Sequence, residues 1–347
     1  MKLNFCTLFN SSYLSRGMTL YDSLIEHCSD FHLYVYAFDA DCYSYLSGEN
    51  FKNLTVISLI EFENEDLLKV KKERTSAEYC WTCSSSSIHH AITNFNLDHC
   101  TYLDADMLFY SDPITLVEEM GNKSVLITEH RYSPEYDQSE VSGKYCVQFV
   151  TFKNNEQGMK VLNWWKDECI KWCYARVENG KFGDQRYLDE FETRFEGVHE
   201  LQNPGGGLAP WNIQQYDFIR EGTEITGVEI KTGKKFKPIF FHFHGLKFYD
   251  ENIVCYTGEI YAINKQIMTC FYQPYIQLLN TQKEQIMKMT GGFDPHGNAG
   301  KSPFPPMNLR LWLYFLMVSI KQSIRNINIG YLKKRLTHHY YFYNRQR

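Results

Sequence analysis

Short apolar runs and stretches of helical period take turns along the first half of the chain. Residues 4–9 form an apolar run, the polar turn NSSYLSRG follows, and Met18, Leu20, Tyr21, Leu24 and Ile25 then recur at helical spacing. Residues 31–38 (FHLYVYAF) and 54–57 read as a second and a third strand, with helical patterns near 40–47 and 61–72. Residues 84–95 are helical in pattern and deliver the chain into an apolar run ending at Thr101, Tyr102 and Leu103. Residues 125–128 and 147–152 supply further strands, and residues 159–174, with Trp164, Trp165 and Trp172, a further helix. Strand and helix in alternation predict an α/β fold built on a mostly parallel sheet with right-handed crossovers. No internal repeat is visible.

The run YLDADMLFYSDP, from Tyr102, places Asp104 and Asp106 two residues apart just where a buried strand ends. That is the carboxyl edge of the predicted sheet, where open α/β sheets bind ligands. Two hard anionic oxygen donors suit Mg²⁺ or Mn²⁺, ions that join a few carboxylates to substrate phosphates. A surface turn is the plain alternative, because Asp favours turns.

At 347 residues the chain can bury one large α/β domain with additions, or two domains, and 44% hydrophobic with 16% aromatic content is that of a folded protein. Eleven scattered Cys fit reduced thiols better than a disulfide framework, and the lone pair Cys80 and Cys83 lacks a second pair at zinc spacing. The start of the chain lacks the apolar core of a signal peptide, so a cytoplasmic protein is expected. Charge is uneven: after Asp294 there are nine Lys or Arg and no acidic residue, while residues 1–294 carry 27 against 41, a net of −14. An acidic body disfavours nucleic acid as a partner, and a basic tail suits an anionic surface.

The order of NFCTLFNSSYLSRGMTLYDSL, YLDADMLFYSDP, YCVQFVTFKN, FGDQRYL and FFHFHGLK resembles the GT-A nucleotide-diphospho-sugar transferases. Within them it is most similar to glycosyltransferase family 8-like enzymes of bacterial surface-polysaccharide clusters, over roughly residues 1–250. The resemblance implies a Rossmann-like sheet flanked by helices. It implies a nucleotide-contacting loop at Thr7, Leu8, Asn10, Ser12 and Tyr13, and diphosphate and metal contacts at Asp104, Ala105 and Asp106. It also implies a histidine that completes the shell of Mn²⁺ or Mg²⁺, with His242 the match by spacing and His244 a close rival. Lys247 would neutralise the leaving diphosphate, although the family spaces this lysine one residue further on and follows it with Pro-Trp, where this chain has Phe248 and Tyr249. Asp184 and Gln185 resemble the family's pair beside the anomeric carbon, in roles of orientation and charge stabilisation. An N-cap ahead of residues 186–191 is compatible with that role for Asp184. Gln148 falls where the family lines the donor-sugar site.

Asn203 to Asn212 is a loop by composition, in which three glycines let the backbone approach a ligand and Trp211 offers a face for a sugar; a plain turn is the alternative. Glu129, His130 and Arg131 follow a strand end and read as either an acceptor-cleft lining or a solvated rim. Gly300-Lys301-Ser302 fails as a P-loop, because Pro295 stands where the first Gly is needed, and reads as a linker.

The expected division is a catalytic domain over residues 1–265 and a helical, basic C-terminal extension over 266–347. The uninterrupted apolar core at 311–318 is too short to span a bilayer. An interfacial helix on anionic lipid at the inner face of the membrane, or a helix packed on the domain or on a second copy in a homodimer, stay open for it. The expected function is a metal-dependent, retaining glycosyltransferase of hexosyltransferase type. It would move a sugar from a nucleotide sugar, a UDP-sugar first, to a surface-glycan or lipid-linked acceptor. The alternatives are a sugar-1-phosphate nucleotidyltransferase and a non-catalytic nucleotide-sugar or glycan-binding protein.

Overall fold

The computed structural model describes residues 1–257, 260–301, 317 and 340–342. Strands β1 (Leu3–Phe9), β2 (Phe31–Ala37), β3 (Leu54–Ser58), β4 (His99–Leu103), β6 (Val125–Glu129), β7 (Tyr145–Lys153) and β8 (Val198–Glu200) form one seven-stranded sheet, while β5 (Met107–Phe109) lies outside it. The order is β3-β2-β1-β4-β7-β6-β8. Only β7 runs against the others, antiparallel to both β4 and β6. The mostly parallel α/β sheet expected from the alternation is therefore present.

Near-continuous apolar strands follow from burial on both faces. Phe5, Leu33, Val35, Leu103 and Phe149 join one core with the helix Leu14–His27, and Cys6, Tyr36, Cys100, Val150 and Phe152 join the other with the helices Ser76–Asn94 and Glu156–Lys171. The helical pattern at 61–72 resolves into two short helices, Leu59–Phe62 and Glu65–Lys71, because Asn64 accepts from the Leu67 N–H and caps a new start.

Three smaller strand groups follow the main sheet. Strands β9 (Tyr216–Glu221), β10 (Glu224–Glu229) and β11 (Lys235–Phe236) make a small antiparallel sheet. Strand β12 (Phe240–His242) pairs antiparallel with β5, and β13 (Lys247–Tyr249) pairs with β14 (Ile253–Cys255), which pairs with β15 (Tyr340–Phe342). The helix Gln273–Thr290 packs on Leu14–His27, and its Gln282 amide donates to Asp22. The apolar core at 311–318, expected as a lipid or protein contact, lies outside the described residues apart from Met317, as does most of the basic tail. Among the described residues no helix is long and apolar enough to cross a membrane.

Candidate metal and nucleotide site

Strand β4 ends at Leu103, and the next residues turn Asp104 and Asp106 out at the carboxyl edge beside the loop that leaves β1. After that turn β5 pairs with β12 in a register that sets His242 opposite Met107. A residue more than a hundred positions downstream is thereby placed on the two carboxylates. His242 Nε2 lies 3.1 Å from Asp106 Oδ1 and 3.7 Å from Asp104 Oδ2. One ligand atom from each of the three lies within 4.8 Å of the others.

The other ring nitrogen decides what this cluster needs. His242 Nδ1 donates to Gln148 Oε1 at 2.7 Å, in a pocket where both side chains are buried. Such an outer partner fixes the tautomer and leaves Nε2 as a ligand atom. A bare Nε2 lone pair facing two carboxylates is repelled, so the site requires a positive charge there. Burial alone would disfavour an imidazolium, but Asp106, with Cys146 and Asp104 adding to it, outweighs burial and raises the His242 pKa well above its ordinary value. A divalent cation supplies the same charge, and two carboxylates with an imidazole are a donor set that Mn²⁺ and Mg²⁺ accept.

The two carboxylates are not equivalent. Burial pushes the Asp104 carboxyl up to about 6, with the charge of Asp106 adding to it against His242. Asp106 feels burial too, but His242, His244 and Arg16 hold it down to about 2, so it is the firmer anion. Ala105 is buried between them. His244 is exposed, its ring 5.6 Å centre to centre from that of His242, and it stands outside the three-residue cluster. Lys247 is exposed at the start of β13 and makes no ion pair among the described residues.

Thr7 and Leu8 lie inside the sheet at 0% and 6% exposure, whereas Asn10, Ser12 and Tyr13 reach the surface. Ser12 Oγ donates to Asn10 Oδ1 at 2.7 Å, and Ser11 donates through N–H and Oγ to Asp39 at 2.9 and 2.7 Å. Asp184 stands at the N-cap position of the 3-10 helix Gln185–Glu190, but its side chain makes no capping bond. Its carboxylate accepts from Ser84 Oγ at 2.6 Å, and burial pushes its pKa up to about 7. Gln185 Nε2 donates to the Ser142 carbonyl at 2.7 Å.

The glycine loop serves the chain's own packing. A Cβ on Gly205 would sit 2.1 Å from the Lys237 carbonyl oxygen, and one on Gly207, where φ is +89°, 2.6 Å from the Arg131 guanidinium. Trp211 is 4% exposed and walled in by His130, His242, His244 and Tyr261, so it backs the histidines and offers no open face to a sugar. His130 is likewise a core group, stacked on Tyr132 at 4.5 Å.

Arg16, Asp39 and Ser84 carried no signal in the sequence; each sits in a helix or strand-end pattern that packing alone explains. Arg16 is 2% exposed, and its carbonyl partners lie more than 200 residues away.

No family model matches the chain. It is 30% identical to YfnD of Bacillus subtilis (strain 168) over 287 residues, 82% of this chain and 90% of that one. It is 31% identical to YfnF of the same organism over 252 residues, 70% and 81% of the two chains. Both are uncharacterized proteins. Among solved structures it is similar to the galactosyltransferase LgtC in complex with donor and acceptor sugar analogues, at 11% identity, 80% and 96% coverage and a TM-score of 0.47. The glycosyltransferase GlyE of Streptococcus pneumoniae TIGR4 gives 13% identity, 84% and 64% coverage and a TM-score of 0.44. At these scores neither likeness assigns an activity or a residue role to this chain.

Proposed function

The chain belongs to the family of Bacillus subtilis YfnD and YfnF, and from that premise we propose that it is a metal-dependent glycosyltransferase of GT-A fold and hexosyltransferase type. The donor is a nucleoside diphosphate sugar, with UDP the nucleotide, and the acceptor a surface glycan or lipid-linked saccharide in the cytoplasm. The observation that carries this reading is the cluster of Asp104, Asp106 and His242 at the carboxyl edge of the sheet, next to the loop after β1.

Those three residues would hold Mn²⁺ or Mg²⁺, with His244 the nearest further imidazole. When bound, the ion neutralises charge on the departing diphosphate. Charge balance supports the substrate class. Two ionised carboxylates, one divalent ion, Arg16 and Lys247 leave a doubly positive site, which a dianionic diphosphate ester neutralises. Asn10 and Tyr13 offer an amide and an aromatic face to the base, with Thr7, Leu8 and Ala105 contributing backbone.

Asp184 and Gln185 orient the sugar. With a carboxyl pushed up to about 7, Asp184 both donates to and accepts from hydroxyls near neutrality. Transfer with retention breaks the bond from the anomeric carbon to the diphosphate and forms one to the acceptor oxygen on the same face, and the acceptor proton passes to a donor phosphate oxygen. No enzymic base is then needed on the opposite face. Against a nucleotidyltransferase, β1 is followed by a 3-10 turn, Ser11–Tyr13, and not by a glycine-rich basic phosphate loop.

The test is UDP release from a panel of UDP-sugars with Mn²⁺. Slow donor hydrolysis is expected in the unaltered protein, with a loss of more than about 100-fold in Asp106→Asn or on adding chelator. Absence of both UDP binding and turnover across the panel would move the reading to another nucleotide or to a binding protein.

A further inference from the structure

The chain returns to the nucleotide loop after its last described long helix. Beyond Gln273–Thr290, residues 294–300 (DPHGNAG) cross the N-terminus of the helix Leu14–His27 and then run beside β13. The Ser15 N–H donates to the Pro295 carbonyl at 3.1 Å, and Ser15 Oγ lies 2.9 Å from His296 Nδ1. Arg16 donates to the His296 carbonyl at 2.9 Å and to the Leu246 carbonyl at 3.0 Å. The His296 ring is 1% exposed, stacks on Phe248 at 3.9 Å with 9° between planes, and places Nε2 3.2 Å from Asn280 Oδ1. Backbone bonds then close the seam: Ala299 N–H to the Phe248 carbonyl and Asp250 N–H to the Gly300 carbonyl, each 2.9 Å. At Gly297, where φ is +61°, an added Cβ would lie 2.8 Å from the Ser12 carbonyl oxygen.

One segment thus joins the two halves of the site, the loop after β1 and the strand that follows His242. It also fixes an unusual cation. Arg16 is buried, has no carboxylate within ion-pair distance among the described residues, and keeps an unpartnered Nε. A buried guanidinium so placed is costly unless a neighbouring anion compensates it. The Arg16 guanidinium lies over the Tyr13 ring, 4.4 Å from the centroid, and so bears on the loop after β1.

We propose that residues 294–300 are a fixed wall of the nucleotide site and that His296 is its positioning residue, setting the loop 10–13 and the Arg16 guanidinium that lies over Tyr13. The inference rests on the glycosyltransferase reading for its ligand, a nucleoside diphosphate with its cation, and extends the site into a part of the chain that the sequence assigns to no ligand. His296 touches neither ligand; it acts through Ser15 and Arg16.

The experiment is calorimetric titration of the full chain with UDP in Mn²⁺, for the unaltered protein, His296→Ala, His296→Asn and Ser15→Ala, with thermal melts alongside. Losing the buried hydrogen bonds of Ser15 Oγ or of the His296 ring, which order the loop, predicts at least about tenfold weaker binding in His296→Ala and Ser15→Ala. His296→Asn, which keeps an acceptor toward Ser15, should recover most of it. With a sugar donor, KM should rise and kcat hold. Should His296→Ala fail to fold, Ser15→Ala, which removes both the contact with His296 and the Oγ bond to the Pro295 carbonyl, decides the matter. Equal affinities in all four proteins would overturn the proposal. A wild-type protein that binds neither Mn²⁺ nor UDP would instead sink the glycosyltransferase reading. In that event hydrogen exchange of amides 10–16 still decides: faster exchange in His296→Ala upholds the wall, and unchanged exchange overturns it.

Discussion

Asp184 shows how one residue type takes its role from its surroundings. In the sequence it reads as a helix cap or a sugar ligand; in the fold its carboxylate turns away from the following helix to Ser84, and burial raises its pKa to about 7. An unfolded aspartate titrates near 3.9. Between those values the folded state keeps a proton that the unfolded state has lost, so stability falls as pH rises through the window, by up to about 1.4 kcal/mol per pH unit. Asp184→Asn should flatten that slope and be the more stable protein at pH 8, as measured by denaturant unfolding in metal-free buffer. Parallel curves for the two proteins would mean that the carboxyl titrates normally. Asp104 and Asp106 were legible as a pair from spacing alone. The orientation of His242 was not, because it depends on Gln148, which is 94 positions away.

At the scale of elements, periodicity located six of the seven strands of the main sheet to within a residue or two and most of the helices flanking it, and gave no sign of the short β8. It missed how the metal cluster is assembled. That work belongs to the pairing of β5 with β12 and to the loop beneath it, where the Gly205 carbonyl accepts from the Ile239 and Phe240 N–H groups at 2.8 and 3.3 Å. Gly205→Ala would press a methyl onto the Lys237 carbonyl oxygen, a backbone atom that cannot swing aside. The expected cost is about 1–3 kcal/mol by urea unfolding, with weaker Mn²⁺ binding because His242 rides on the strand that would shift. A fully stable Gly205→Ala protein would show that the loop has more freedom than its contacts imply. The glycines read in the sequence as a close approach to a ligand are instead a close approach to the chain itself.

At the scale of the whole molecule, the site gathers residues from the first strand to residue 300, so a cation bound there should stabilise the fold as a unit. By mass action, Mn²⁺ at a hundredfold excess over its Kd adds about 2.7 kcal/mol. The melting temperature should rise with Mn²⁺, return on chelation, and stay unmoved in Asp106→Asn; an equal rise in that variant would place the ion elsewhere. The sequence by itself determined what is local: which segments are buried on both faces, where a strand must end, and that two carboxylates stand at that end. Hydrophobic period and turn chemistry encode these because each depends on neighbours a few positions away. Only the tertiary structure decided that Gln148 orients His242, that His242 and not His244 joins the carboxylates, that Ser84 takes Asp184, and that residues 294–300 close over Arg16. Those pairings join positions roughly a hundred to nearly three hundred residues apart, and no local preference specifies them. Packing of the layers and the satisfaction of buried polar groups select them.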